Sequence, residues 1–206
     1  MGFGDGGQKR IYCGIKAGKI AHRINESTVE LHHDLTGQLT DAYVKADGKF
    51  GPELHLIITD STDAYQLQMQ LNSGYARAFL CIAKNIAPAS PATFIPTYKE
   101  KDGVKETGMI IRQDGSALKW FFKNDTPNGM PELVPCKIRN QAGQLVDGWD
   151  NTERMNFLLK VLNEEVRPLL IPGKVVQRNS AVENIHHSDG FTDNINDPGA
   201  PDDLPF

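Results

Sequence analysis

The chain has 206 residues, 39% of them hydrophobic and 8% aromatic, which is enough for one domain with a sizeable core and a tail. No run approaches the roughly 20 apolar residues that a membrane-spanning helix needs. Cys13, Cys81 and Cys136 are odd in number and far apart, which argues against a disulfide framework or a zinc cluster and fits a reducing cytosol. The net charge of −4 is unevenly spread. Residues 179–206 hold six acids (Glu183, Asp189, Asp193, Asp197, Asp202 and Asp203) and no Lys or Arg. Taking these from the 26 acids of the chain leaves 20 against 22 bases, so the body is mildly basic. A basic body with an acidic arm suits an anionic ligand and a separate partner site.

In chain order, the Gly-rich lead Met1 to Gly7 has no apolar stretch of the kind a signal peptide carries. Residues 8–24 alternate loosely, and Gly14 and Gly18 predict a bent strand or hairpin. Residues 28–35 alternate strictly, with Val29, Leu31, His33 and Leu35 on one side, and predict a half-buried strand. A turn at Thr36-Gly37-Gln38 then leads to a strand over 39–46, closed by the Asp-Gly signal at Asp47-Gly48. Strands are predicted at 53–59 and 64–71, joined by a turn over 60–63. Ser73 reads as the N-cap of a helix over 74–86, with Ala76, Phe79, Leu80 and Ala83 at helical spacing and Pro88 and Pro91 beyond its end.

Residues 92–99 and 104–113 read as a hairpin, and 116–123 as a further strand with Phe121 beside Lys119 and Lys123 on one face and Trp120 with Phe122 in the core. A Pro/Gly-rich loop over 124–135 precedes a short pair at 136–139 and 144–146. Asp150-Asn151-Thr152-Glu153 resembles a capping box, followed by a helix with Met155, Leu158, Leu159, Leu162 and Val166 on one face that stops before Pro168. From residue 175 the composition predicts disorder. The division is thus a folded domain over 1–174 and an acidic tail over 175–206.

Strand hairpins, a helix after the third strand of the barrel, and then further strands match the OB-fold. This is a five-stranded, partly open Greek-key barrel, and the helix over 74–86 fills its slot between strands three and four. The fold class expected is therefore mainly β: an OB-fold with an inserted helix, extra hairpins, a C-terminal helix that packs on the barrel or on a second protomer, and a disordered acidic tail.

The sequence closes on Asp202-Asp203-Leu204-Pro205-Phe206. This stretch resembles the acidic tip of bacterial and phage single-stranded DNA-binding proteins, which reads Asp-Asp-Leu-Pro-Phe or Asp-Asp-Ile-Pro-Phe. The resemblance implies a protein that coats single-stranded DNA in the cytoplasm of a bacterial cell, or is encoded by a phage. It implies no enzymatic activity, no cofactor and no metal, and recruitment of replication, recombination or repair proteins through residues 202–206. Terminal carboxylate capture in a basic-rimmed pocket is a known recognition mode, and Pro205 limits the freedom lost when the stretch docks. The body resembles the family only in its order of strands and helix, closest to larger phage-type members.

OB-folds hold single strands with a basic groove and stacking rings. The residues expected to do so are Arg10, Tyr12, Lys16, Lys19, Tyr43, Lys45, Tyr98, Lys99, Lys119, Phe121 and Lys123. Lys9, Arg23, Lys49, Lys101, Lys105 and Arg112 could also track phosphates. Two other readings stay open, a metal-dependent nuclease and an RNA-binding OB protein. The pairs His32-His33 and His186-His187 lack the spacing of a zinc helix, and the acids at 53, 60, 63 and 114 fall at predicted turns or strand ends.

Overall fold

The computed structural model describes residues 10–48, 50–101, 104–124, 127–139 and 144–170. The acidic segment, the boundary expected near residue 175 and the stretch 202–206 lie outside them. The strands are β1 (Arg10–Lys16), β2 (Lys19–Arg23), β3 (Val29–His32), β4 (Leu35–Lys45), β5 (Glu53–Thr59) and β6 (Ala64–Gln70), followed after a helix by β7 (Ala92–Lys101), β8 (Val104–Gln113) and β9 (Ser116–Ala117), then β10 (Val134–Arg139) and β11 (Leu145–Asp150). The helices are α1 (Gly74–Ile82), α2 (Thr152–Val161) and the short α3 (Arg167–Leu170).

Nine strands form one curled, half-barrel sheet in the order β3-β2-β1-β6-β5-β4-β7-β8-β9, and β10 and β11 make a separate two-stranded ribbon. The fold is mainly β. β1 and β6 run parallel, and the neighbouring pairs β1–β2, β5–β6, β4–β5 and β4–β7 are antiparallel. Ala17 and Gly18 both have positive φ, 45° and 71°, the two-residue turn whose twist matches flanking strands. That turn reaches across to β7. A Cβ on Gly18 would stand 2.7 Å from Tyr98 Cβ, and the Gly18 N–H donates to Tyr75 Oη at 3.1 Å. This corner is thereby held between β7 and α1.

The inner face carries the core. Leu39 and Ala42 of β4, Leu54, Leu56 and Ile58 of β5, and Leu67 and Met69 of β6 pack with Phe79 and Leu80 of α1 and with Leu158 and Leu159 of α2. α1 starts where expected: Ser73 Oγ accepts from the Ala76 N–H at 3.2 Å. The buried amide of Gln113 ties the 87–90 loop to β8, accepting from the Ala87 N–H and donating to the Ala87 and Ser90 carbonyls.

Several expectations are corrected. β3 is exposed on both faces, as an outer strand of the sheet paired on one side with β2. Residues 36–38 are no turn: β4 runs through them, with a buried Gly37 whose added Cβ would meet the Thr59 carbonyl oxygen at 2.7 Å. The strand expected over 116–123 stops at Ala117, because the Phe121 and Phe122 N–H groups both donate to the Cys81 carbonyl, at 2.8 and 3.2 Å, and not to a neighbouring strand. Alternation fails there, so Trp120 is 44% exposed while Phe122 is buried. Finally, the helix does not stop before Pro168. A π-helical turn at Leu162–Val166 leads directly into α3, which contains Pro168. The N-cap position is Asn151, while Asp150 ends β11 and its Oδ1 accepts from the Thr152 N–H at 2.8 Å.

Candidate nucleic-acid interface

Directly opposed residues on neighbouring strands project to the same face of a sheet. Tyr12 stands opposite Gln66, Gln66 opposite Ile57, and Ile57 opposite Asp41. The next row across β6, β5 and β4 is Gln68, His55 and Tyr43, and the one after it Gln70, Glu53 and Lys45. Arg10 begins a row with Ala64 and Thr59. Lys16, opposite Lys19, falls on the same side as Tyr12 by the two-residue period. The other side of these strands is the core; this face is exposed at Arg10, Tyr12, Lys16 and Lys45 and buried at its centre, where Ala64, Gln66, Ile57 and His55 lie. Arg10, Tyr12, Lys16, Lys19, Tyr43 and Lys45 thus share one surface.

Tyr98 and Lys99 lie at its margin, where the Ala17-Gly18 turn rests on β7. Tyr98 is half-buried and its hydroxyl donates to Glu100 at 2.6 Å. Lys119, Phe121 and Lys123 are placed elsewhere, in the irregular segment beside α1 and α2. Phe121 packs on the edge of the core, edge-on to Phe122 at 4.8 Å, with Lys84 Nζ 4.8 Å above its ring.

The outward face is built on a buried polar layer. His55 stacks on Tyr43 with ring centroids 5.2 Å apart. Its Nδ1 lies 2.8 Å from Gln66 Nε2, and its Nε2 lies 3.3 Å from Glu53 Oε2, out of line for a good hydrogen bond. Burial pushes the His55 pKa below its ordinary value, and Glu53 opposes that shift. Burial is also the main cause that raises the Tyr43 phenol, with Asp41 and Tyr12 adding to it and Arg10 and Arg167 working against it. Tyr12 itself is 53% exposed.

Sequence reasoning missed Arg167. It donates from Nε to Asp41 Oδ1 at 2.8 Å and from Nη2 to Oδ2 at 3.2 Å, and its guanidinium lies 5.6 Å from the Tyr43 ring centre. The partners are 126 positions apart, and no local pattern links them. The fork pairs the Asp41 carboxylate, and Glu53 of β5 lies between Gln70 of β6 and Lys45. Burial raises the thiols of Cys13 and Cys81 to about 11, so both are unreactive core side chains. Among the described residues no group of three or more His, Cys, Asp or Glu is placed to hold a metal ion, and no helix is long and apolar enough to cross a membrane. No protein-family model matches the chain, and no curated protein or solved structure matches it.

Proposed function

We propose that the protein binds single-stranded DNA without strong sequence preference and recruits replication, recombination or repair proteins through residues 202–206. The observation that carries the DNA reading is the face of β1, β6, β5 and β4 opposite the core, where Tyr12 and Tyr43 share one side of the sheet with Arg10, Lys16, Lys19 and Lys45, around a buried centre of Gln66, His55 and Ile57. Rings stack on bases of any sequence, and dispersed cations follow phosphates. The element order supports an OB-fold reading of the body: β4, β5 and β6 form a meander, α1 follows, and β7 returns to pair with β4 and with β8. In that reading β5 and β6 are the second and third barrel strands, whose face is the usual binding surface of the fold. The extra strands β1–β3 extend this face from the edge of β6. The acidic stretch Asp202-Asp203-Leu204-Pro205-Phe206 supports the partner reading by its resemblance to the tip of the DNA-binding family.

The test is a titration of the intact protein with dT oligomers of increasing length, with matched RNA and duplex DNA as controls, at several salt concentrations. We expect single-stranded DNA to bind tightest, and log K to fall linearly with log salt by roughly 0.7 per phosphate contact. Duplex preference or salt-independent binding overturns the reading, RNA preference moves it to an RNA-binding protein, and Mg²⁺-dependent cleavage moves it to a nuclease.

A further inference from the structure

β1 and β2 pair only from Cys13 opposite His22 to Lys16 opposite Lys19. Before Cys13, β1 stays with β6, which it pairs from Arg10 onward. Beyond His22, β2 stays with β3, where Arg23 stands opposite Val29. The two strands therefore part within the sheet and leave a cleft of about 500 Å³ lined by Arg10 and Tyr12 on one side and His22, Arg23 and Ile24 on the other. Two large side chains are exposed here on the cleft, Tyr12 at 53% and Ile24 at 51%. The far wall is held in shape before any ligand arrives. Asn25 Oδ1 accepts from the Ser27 and Thr28 N–H groups at 3.0 and 2.9 Å, and the Ile24 N–H donates to the Thr28 carbonyl at 3.0 Å. A preformed wall lowers the ordering cost of binding.

Resting on the single-strand reading above, we propose that this cleft is the principal nucleotide subsite. It takes one unpaired base between the Tyr12 ring and Ile24, with the flanking phosphates on Arg10 and Arg23. The cleft has the volume of a small-molecule pocket, and a base enters it only when unstacked and free of its Watson–Crick partner. Glu26 lines the same cleft and repels phosphate, so the backbone of the strand passes on the arginine side. The subsite thereby selects single strands over duplex by shape, with no reading of base edges.

Three measurements on the full chain test this. Tyr12→Ala weakens binding of a labelled dT oligomer roughly tenfold and leaves the salt slope unchanged, while Tyr12→Phe retains the affinity. The double variant Arg10→Ala, Arg23→Ala flattens the slope of log K against log salt by roughly 1.4, twice the value for one phosphate on a single strand. A strand carrying 5-iodouracil, irradiated on the wild-type protein, crosslinks to Tyr12. The crosslink is independent of whether any variant folds. Wild-type affinity in Tyr12→Ala, or crosslinks mapped only to other rings, overturns the subsite while leaving DNA binding intact. Absence of any single-strand binding by the wild-type protein overturns both.

Discussion

Phe121 meets Phe122 edge-on and supports the Lys84 ammonium on its ring, so its truncation opens space at the margin of the core. We expect Phe121→Ala to lower stability by about 2 kcal/mol, below the range for a fully buried Phe because the ring is only partly covered. Trp120→Ala, at an exposed position, should cost less than about 1 kcal/mol. Urea unfolding of the two variants decides it, and the opposite order of stabilities would refute the packing described here. His55 makes a pH prediction. Its folded pKa lies below the ordinary value of about 6.5, so the unfolded chain takes up the proton first. The stability His55 allows is complete above that pH and is lost as pH falls below it. Unfolding free energies at pH 8 and pH 5.5 should show this loss in the wild type and a smaller one in His55→Gln, which keeps a polar partner for Gln66. Identical losses in both proteins would assign the pH dependence to other groups.

The Ala17-Gly18 turn joins the β1–β2 hairpin to the far side of the sheet. Gly18→Ala combines an unfavourable left-handed backbone with a methyl group set against the backbone and Cβ of Tyr98. A loss of roughly 3 kcal/mol is expected, with faster amide exchange in β1 and β2 than in β5. Unchanged exchange in the hairpin would mean that the corner gives way without releasing the strands. Where elements were legible in the sequence, local signals agreed with one another. β5 and β8 occupy the residues their patterns predicted, and Ser73 caps α1 as a Ser before an apolar helical pattern should. Errors arose where a tertiary partner decided the outcome. The Cys81 carbonyl captures two consecutive N–H groups and ends the alternation at Phe121. The exposure of β3 depends on what covers it, which four alternating residues cannot reveal. A π-helical turn has no short signature, so Pro168 read as a stop. Of the candidate site, residue types at the strand ends were readable because the two-residue period sets their faces. The Asp41–Arg167 fork was not, because it joins the fourth strand to the last helix.

At the scale of the whole molecule, the acidic arm and the basic outward face belong to one chain. In the proposed reading, the six carboxylates of residues 179–206 compete with phosphate for the cations of the body, because tethering raises their effective concentration. Removing residues 179–206 should therefore leave single-strand affinity equal or tighter, most clearly at low salt where screening is weak. Deleting Phe206 alone should abolish binding of a bacterial replication or recombination enzyme and leave DNA binding untouched. Calorimetry on the intact and shortened proteins checks both, and equal partner binding by the two would remove the support for residues 202–206 as a docking element. The parallel pairing of β1 with β6 has a consequence during synthesis. β1 leaves the ribosome first, but its partner around Gln66 is made some fifty residues later, a delay of several seconds at roughly 5–20 residues per second. Until then β1, β2 and β3 are a three-stranded antiparallel piece whose β1 edge has no partner. β1 is thus locked in place only once β6 has been made, and a nascent chain stalled before residue 64 would present its open edge to chaperones and proteases.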